Sequence, residues 1–312
     1  MEPSIDFFNN KRVLITGGGG YLGSKLAEKI VNSDSTIFLL DKKFNSAAKT
    51  LSENHSNIQI SIVDLTQKKQ VEEICSEAEP DYIFHFAALL NRVRDFSVYN
   101  KLYEVNVNGT LNLLEAAKDI AYKGFYFASS GEVYGTKNQP PFSEEQIPVP
   151  VSPYSLTKLM GEQIIQTFSD ISSKPFTILR IFNFYGPGMP KDFFISQLIE
   201  ALKSDQKFNM TGGEQIRDLI YLEDLLAAIV FICKSGKSNN DIINICSGKG
   251  IILKEIAQEI AEQMNKTNLL NIGVLPYRKN EVWNMCGSNS KLTNLGFTVK
   301  NQNLISKIQE YL

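Results

Sequence analysis

The sequence predicts an α/β protein with a doubly wound parallel sheet and a smaller, partly interleaved C-terminal lobe. Two observations carry this prediction. Strand-like apolar runs alternate with segments long enough for crossover helices, as expected for parallel strands that are covered on both faces. A glycine-rich turn also joins the first strand to the first helix. The chain has 312 residues, of which 43% are hydrophobic, which suffices for one large domain or two closely associated ones.

The N-terminal two thirds of the chain supply six predicted strands. Residues 12–16, RVLIT, form the first strand, and Leu22, Leu26 and Ile30 recur at helical spacing directly after the glycines. A longer helix is predicted from PYSLTKLMGEQIIQTF, which starts at residue 153. The remaining strands are predicted at residues 36–41, 58–64, 82–88, 124–130 and 176–183.

The pattern becomes less regular beyond residue 184, where an amphipathic helix is predicted near residues 192–204. We therefore expect a Rossmann-type dinucleotide-binding domain at residues 1–184. Residues 185–312 would form mainly a substrate-binding lobe. Later segments such as IYLEDLLAAIVFI are expected to return to the sheet of the first domain.

Composition excludes several classes of function. A net charge of −2 without long runs of one sign argues against nucleic-acid binding. The four cysteines show no CxxC spacing, so we interpret them as reduced, mostly buried thiols and predict no metal site. Neither a signal peptide nor 18 consecutive apolar residues occur, which favours a cytoplasmic protein without a membrane segment.

The glycine turn predicts a dinucleotide site. Gly17, Gly20 and Gly23 follow a G-x-x-G-x-x-G spacing, which permits close approach of a ligand to the backbone at the N-terminus of a helix. Asp41 ends the next strand 18 residues after Gly23, where a carboxylate accepts hydrogen bonds from a ribose. This carboxylate favours NAD over NADP, although neighbouring lysines leave NADP open. The turn's predicted cofactor residues are Gly17, Gly20, Tyr21, Leu22 and Gly23.

Residues at the ends of two further strands complete the predicted cofactor site. Asp64 and Leu65 close the third strand, where an adenine edge is expected. Ala87 and Ala88 follow the fourth strand and leave room for the dinucleotide.

The predicted chemistry lies in SSGEVYG and PYSLTK. Tyr154 and Lys158 are four residues apart on a predicted helix, so they share a face. We expect the Lys158 ammonium to lower the pKa of the Tyr154 phenol until it serves as an acid/base. Ser130 ends a parallel strand and would bond the same substrate oxygen. His85 lies inside a strand and is interpreted as a core residue.

Together TGGGGYLG, Asp41, SSGEVYG and YSLTK resemble the extended short-chain dehydrogenase/reductase family, in its nucleotide-sugar epimerase/dehydratase branch. NVNGT, RIFNFYGPG, GEQIRDLIYLEDL and LPYRKNEV extend the resemblance to the C-terminal part. The resemblance implies that Tyr154 and Lys158 also bind the nicotinamide ribose and that Ser130 positions the reacting oxygen. It further implies a homodimer, formed through helices that begin near residues 97 and 153. The substrate would be a nucleotide-diphosphate sugar bound by Asn183, Arg217 and Arg278.

Hydride transfer at sugar C4 is common to the epimerases, dehydratases and keto-sugar reductases of this branch. Dehydratases carry Thr-Asp-Glu where this chain has Ser130-Gly131-Glu132, and the missing aspartate argues against dehydration. We favour a 4-epimerase because Asp41 favours NAD. The alternative is an NAD(P)H-dependent reductase of a 4-keto-6-deoxyhexose nucleotide for surface polysaccharides. A regulator that had lost the chemistry would not need the Ser, Tyr and Lys that are all present.

Overall fold

The computed structural model describes residues 5–301 and 303–309. The chain divides into two compact units. The first comprises residues 1–133, 150–180 and 229–243, and the second comprises 134–149, 181–228 and 244–312. The described strands are β1 Arg12–Thr16, β2 Thr36–Asp41, β3 Ile58–Ile62, β4 Tyr82–His85, β5 Gly124–Ser130, β6 Phe176–Ile181, β7 Asn183–Tyr185, β8 Phe208–Asn209, β9 Ile216–Tyr221, β10 Asp241–Ile245, β11 Gly250–Ile252, β12 Leu270–Asn271 and β13 Asn284–Met285.

Helices occur between most of these strands. A π-helical turn at Glu104–Asn108 separates the helices α4 and α5. The longest is α6, whose 20 residues contain PYSLTK. The described α-helices are α1 Tyr21–Ile30, α2 Ser46–Asn54, α3 Lys68–Ala78, α4 Tyr99–Tyr103, α5 Gly109–Ala117, α6 Pro153–Ser172, α7 Phe194–Lys203, α8 Leu222–Ser235, α9 Leu253–Gln263, α10 Ser290–Asn294 and α11 Leu304–Gln309.

The first unit is built on a seven-stranded sheet in the order β10-β6-β5-β4-β1-β2-β3. The pairings of β1 with β2 and β4, of β2 with β3, and of β4 with β5 are all parallel. The strand order reverses between β1 and β4. In open parallel sheets, ligands bind at this reversal, outside the carboxyl ends of the strands. The predicted doubly wound α/β fold is confirmed.

Apolar side chains of the strands and crossover helices form the core of the first unit. Leu14 of β1, Ile83 of β4 and Phe125 of β5 are fully buried in this cluster. The third strand differs from the prediction, because it was expected to be covered on both faces. It is one of the two edge strands of the sheet, and Ile62 is 78% exposed.

The second unit contains a smaller sheet centred on β9. This strand pairs with β7 and β13 in parallel and with β11 antiparallel. A separate core packs apolar residues of α7, α9 and α11 together, including Leu198, Ile260 and Ile308. The pairing places Asn183 of β7 opposite Leu219 of β9, and Met285 of β13 opposite Arg217. The central strand therefore carries a predicted substrate residue.

Three of the predicted strands, β1, β2 and β5, have the predicted bounds, whereas β3, β4 and β6 end two or three residues earlier than predicted. The seventh strand, β10, was not predicted. It comprises Asp241–Ile245 and pairs at one edge of the seven-stranded sheet, so part of the later chain returns to the first sheet. Within the described residues, none of the helices combines the length and apolar character needed to cross a membrane.

Candidate active site

The glycine turn after β1 is tightly packed against its neighbours. Gly17 has a φ of +72°, which favours glycine, and a Cβ on it would lie 2.7 Å from the backbone nitrogen of Ala87. A Cβ on Gly23 would collide with the Gly17 carbonyl. Gly20 is the N-cap of α1 and has no side chain to cap the first turn. The turn therefore leaves the helix N-terminus open to a phosphate ligand.

Asp41 lies at the carboxyl end of β2 and faces this turn. Its carboxylate accepts hydrogen bonds from the backbone nitrogen of Gly19 at 3.1 Å and from that of Lys43 at 3.3 Å. The neighbouring Lys42 forms an ion pair, because its ammonium lies 2.7 Å from the Asp64 carboxylate. The negative charge at the predicted ribose position is thus fixed in place, while Lys42 is paired elsewhere.

The other predicted cofactor residues lie at the same edge of the sheet. Asp64 also accepts hydrogen bonds from Thr66, and these bonds and Lys42 lower the pKa of its carboxyl against the effect of its partial burial. Leu65 is buried, and Ala87 donates its backbone N–H to Thr16 at 3.3 Å. Ala88 is exposed, while Tyr21 and Leu22 form the first turn of α1. The bare turn and the ribose carboxylate fit a dinucleotide.

Local sequence fixes where α6, the helix of the predicted catalytic residues Tyr154 and Lys158, begins. Ser152 is the N-cap of α6, and its side chain and that of Ser155 form a reciprocal capping box. Pro153 occupies the first helical position, where its missing N–H is harmless. Tyr154 therefore lies in the first turn, and Lys158 follows one turn later on the same face.

Lys158 is buried, with only 2% of its surface exposed. Its Nζ donates to the carbonyl of Ala128 at 2.7 Å and lies 4.8 Å from the centre of the Phe127 ring, both on β5. The Tyr154 ring centre is 6.0 Å from the same Nζ. Burial lowers the pKa of Lys158 to about 7, and the charge of Glu162 acts in the opposite direction.

The pKa of the Tyr154 phenol differs from the expected direction. Burial raises this pKa, the charge of Glu132 raises it further, and the charge of Arg92 lowers it. We expected Lys158 to lower the pKa of Tyr154. The pKa is raised instead, because the cost of burying the phenolate exceeds any effect of Lys158. Sequence reasoning missed Glu132 and Arg92 as groups that act on Tyr154. Glu132 was visible in SSGEVYG, but Arg92 carried no motif.

Ser130 ends β5, two residues after the carbonyl that holds Lys158. Its Oγ accepts a hydrogen bond from the Glu132 backbone nitrogen at 3.1 Å. The Glu132 carboxylate in turn accepts a bond from Ser152 at 3.5 Å. The end of β5 is thus connected to the start of α6, so all three predicted catalytic residues lie in one region of the first unit.

His85 is a core residue, as predicted. Its ring nitrogens bond the hydroxyls of Thr16 at 2.7 Å and Thr110 at 2.8 Å. Thr110 gives its own proton to the Asn106 carbonyl, so His85 donates from Nε2 and accepts at Nδ1. Burial lowers the pKa of His85 to about 3, and the charge of Lys158 adds to this effect. His85 is therefore neutral at physiological pH.

Asn106 lies in the π-helical turn and connects three segments. Its side chain accepts from the backbone nitrogen of Leu89 at 2.7 Å and donates to the Leu89 carbonyl at 3.1 Å. It also donates to Thr157 of α6 at 3.0 Å. Because Thr157 adjoins Lys158, Asn106 supports α6 beside Lys158.

The three predicted substrate residues belong to the second unit. Arg217 donates to the Glu281 carboxylate at 2.7 Å and to the Val282 carbonyl at 2.8 Å. Asn183 on β7 donates to the Met285 sulfur at 3.8 Å, a weak bond. Arg278 is exposed in the segment between β12 and β13. Glu281 was missed, although it stands three residues after Arg278 in the quoted LPYRKNEV.

The chain is similar to several known proteins. Residues 13–246 match the sequence profile described as the NAD dependent epimerase/dehydratase family. A UDP-N-acetyl-alpha-D-glucosaminuronate decarboxylase from Bacillus cytotoxicus is 32% identical over 279 residues, covering 86% of this chain and 84% of the relative. A GDP-6-deoxy-D-talose 4-dehydrogenase from Aggregatibacter actinomycetemcomitans is 29% identical over 91% of this chain and 90% of its own.

A solved structure gives the same assignment. The UDP-glucuronic acid 4-epimerase from Bacillus cereus, in complex with UDP-glucuronic acid and NAD, superposes with a TM-score of 0.85. It is 25% identical, and the match covers 95% of this chain and 96% of that one. The family match confirms both the predicted resemblance and NAD as the cofactor. The chain belongs to the NAD dependent epimerase/dehydratase family, within the extended short-chain dehydrogenases/reductases.

Proposed function

We propose that the protein is an NAD-dependent 4-epimerase of a nucleotide-diphosphate hexose. The observation that carries this proposal is the arrangement around Lys158, a buried ammonium held on β5 two residues before Ser130 and one helical turn after Tyr154. A buried lysine beside a partly exposed tyrosine is an arrangement suited to proton exchange with a hydroxyl group.

Each residue of this group has a separate proposed task. Tyr154 exchanges the proton of the sugar 4-hydroxyl, and Ser130 orients the oxygen by a hydrogen bond. Lys158 carries positive charge beside the phenol and binds the ribose of the cofactor. NAD, when bound against the glycine turn and Asp41, supplies reversible oxidation at C4. An epimerase needs no external reductant, because the cofactor is restored within each turnover.

The second unit supplies the proposed nucleotide-sugar contacts. A guanidinium fork suits the two phosphate groups of a diphosphate better than an ammonium would. Arg217 already lies in a defined orientation, held by Glu281 and the Val282 carbonyl. Arg278 is exposed, and Asn183 makes only a weak bond to sulfur, so both are proposed to bind the same ligand.

The reductase of a 4-keto-6-deoxyhexose nucleotide stays the second candidate. The 29% identical relative from Aggregatibacter, which is named a 4-dehydrogenase of a GDP-6-deoxyhexose, favours it. The pairing of Lys42 with Asp64 and the fixed Asp41 carboxylate favour NAD, and therefore the epimerase, because a consumed reductant is often NADPH. Dehydration remains less favoured, since Gly131 stands where the dehydratases carry aspartate.

Two measurements test the proposal. The purified, dialysed protein is denatured and the released dinucleotide is identified by mass spectrometry, and stoichiometric NAD is expected. The protein is then incubated with UDP-glucose, UDP-N-acetylglucosamine and UDP-glucuronic acid, and the products are followed by proton NMR. A 4-epimer without added NAD(P)H supports the epimerase. Turnover only of a 4-keto sugar nucleotide with NAD(P)H would establish the reductase, and release of carbon dioxide from the uronate would establish a decarboxylase.

We also propose a homodimer that pairs the helices beginning at Tyr99 and Pro153 of each copy. The helix that begins at Tyr99 continues through the π-helical turn into α5. Ile171 on α6 is 82% exposed and Leu111 on α5 is 39% exposed, so both helical segments present apolar surface. Light scattering after size exclusion should give twice the mass of one chain, and the mass of a single chain would exclude the dimer. The cytoplasmic location expected from the sequence remains a prediction.

A further inference from the structure

A fully buried ion pair lies directly beneath the catalytic face of α6. The Arg180 guanidinium on β6 donates to both oxygens of Glu162, from Nε at 3.1 Å and from Nη2 at 2.8 Å. Arg180 is 2% exposed and Glu162 is 1% exposed. Ser129 also donates its hydroxyl to the Glu162 carboxylate. Such a pair costs desolvation energy, so it stabilises the fold less than apolar side chains of similar size would.

This ion pair connects α6 to β5 beside the catalytic residues. Lys158 bonds the carbonyl of Ala128, and Glu162, one turn later, bonds the side chain of Ser129. The next residue of β5 is Ser130. Consecutive residues of the strand are therefore bonded to consecutive turns of the helix, which fixes the position of the helix relative to Ser130.

Close packing leaves little freedom between these elements. A Cβ on Gly161 would lie 2.8 Å from the Phe127 ring, and the centre of this ring also lies 4.8 Å from the Lys158 ammonium. A small residue at position 161 thus lets α6 approach β5 closely enough for both bonds to form. A shift of the helix along the strand would break the Lys158 and Glu162 bonds together.

Charge provides a second role for the pair. The described titratable groups near Lys158 are Tyr154 and Glu162 on its own helix and His85 on β4. Arg180 on β6 adds a positive charge that is paired with Glu162. Of these, Glu162 is the group that favours the charged form of Lys158, against the effect of burial. His85 is neutral, and Tyr154 is protonated at rest.

We propose that Ser129, Glu162 and Arg180 form a positioning network, in which the bonded Glu162 carboxylate, one helical turn after Lys158, holds the Lys158 ammonium aligned with Ser130. Arg180 holds the carboxylate in its orientation, and Ser129 connects it to the strand. The network acts through Lys158 and touches neither substrate nor cofactor. This inference rests on the proposed function where it concerns the task of Lys158 in catalysis. The effect of Glu162 on the charge of Lys158 does not depend on the proposed function.

The test compares two substitutions at one position. Glu162→Gln keeps the length of the side chain and removes its charge, whereas Glu162→Asp keeps the charge and shortens the side chain. Protein labelled at the lysine ε carbon and ζ nitrogen is titrated by NMR, and the Lys158 signal is assigned by its loss in Lys158→Met. We expect the pKa of Lys158 to fall by about one unit or more in Glu162→Gln, because Arg180 then adds an unbalanced positive charge. In Glu162→Asp it should stay near the wild-type value.

Activity gives the second readout. Turnover should fall as Lys158 loses its proton, so the alkaline limb of the kcat profile should move to lower pH in Glu162→Gln and stay in place in Glu162→Asp. If Glu162→Gln fails to fold, two other variants replace it. Glu162→Gln combined with Arg180→Met removes both charges of the pair and restores neutrality. Ser129→Ala removes the hydrogen bond from β5 to Glu162, and we expect it to lower kcat several-fold.

A folded Glu162→Gln whose Lys158 titration and pH profile match the wild type would overturn the inference and leave the pair a structural feature. The two fallback variants keep the charges near Lys158 balanced, so for them an unchanged kcat would overturn the positioning role. If Lys158 titrates as expected but no nucleotide sugar is turned over, the proposed function fails while the charge relation stands. The NMR titration needs no substrate, so the two failures are distinguishable.

Discussion

The two units differ in how deeply their predicted site residues are buried. The predicted catalytic Lys158 of the first unit has buried partners, whereas the predicted substrate residues of the second unit are partly or fully exposed. In the first unit, the Arg180–Glu162 pair and Lys158 are almost wholly buried and bonded to strand β5 or to one another. In the second unit, the Arg217–Glu281 pair keeps 18% of the arginine side chain exposed, and Arg278 is exposed. Both units use an arginine–glutamate pair, but at different depths.

Depth decides what such a pair can do. A buried pair cannot open without leaving an uncompensated charge in a medium of low dielectric, so it holds position. A partly exposed pair can exchange one partner for a ligand or for water at small cost. We therefore expect changes in the first unit to act on kcat and on stability, and changes in the second unit to act on KM.

The largest expected effect is on turnover. Tyr154→Phe removes the proton-exchanging hydroxyl, so kcat should fall by about 10²- to 10⁴-fold. The affinity for NAD, measured by fluorescence titration, should change far less than kcat, by about fivefold at most, because the glycine turn is untouched and only one hydroxyl contact to the ribose is lost. Tyr99→Phe is the matched control and should retain turnover, because the Tyr99 hydroxyl contacts the Met160 sulfur at 3.7 Å and is not one of the predicted site residues. Comparable kcat values for Tyr154→Phe and wild type would exclude the acid/base role.

The second prediction compares the two ion pairs directly. Arg180→Met leaves a buried Glu162 carboxylate unpaired and should lower the free energy of unfolding by about 3–5 kcal/mol. The same substitution at Arg217 should cost less than at Arg180, because 18% of the Arg217 side chain is exposed and water can replace its guanidinium beside Glu281. Urea unfolding monitored by circular dichroism measures both. Equal losses would show that burial does not distinguish the pairs.

The third prediction concerns the substrate. Arg217→Ala should raise the KM for the nucleotide sugar by about 10- to 100-fold, because a charge-assisted bond to phosphate is lost. The affinity for NAD should remain close to that of the wild type. Steady-state kinetics and a separate NAD titration supply the two values. Equal weakening of both ligands would remove Arg217 from the substrate contacts.

The smallest expected effect tests whether the exposure of a side chain, rather than the unit to which it belongs, decides how much a substitution changes binding. Lys42 belongs to the first unit, yet it is 61% exposed and paired with Asp64. Lys42→Ala should change the ratio of NADP to NAD affinity by less than about threefold, because an exposed and already paired ammonium contributes little to binding a 2′-phosphate. Calorimetric titration with both dinucleotides measures the ratio. A tenfold loss of NADP affinity would mean that Lys42 leaves Asp64 to bind the phosphate.

The tertiary structure changed the interpretation of several residues. Glu162 stands four residues after Lys158, and Arg180 lies in a predicted strand, yet nothing in their spacing joins them. Their contact depends on the sheet order that brings β6 beside β5. The strand β10 was missed for a similar reason, since it follows an irregular stretch and joins the sheet from a distant part of the chain.

The sequence by itself determined the alternation of strands and helices, the glycine turn, Asp41 and the shared face of Tyr154 and Lys158. These features depend on local spacing, because backbone conformation and side-chain periodicity are set by neighbouring residues. Only the tertiary structure decided the pairing of Lys42 with Asp64, the burial that raises the pKa of the Tyr154 phenol, and the network under Lys158. Desolvation and charge pairing depend on groups brought together from distant positions, which spacing along the chain does not encode.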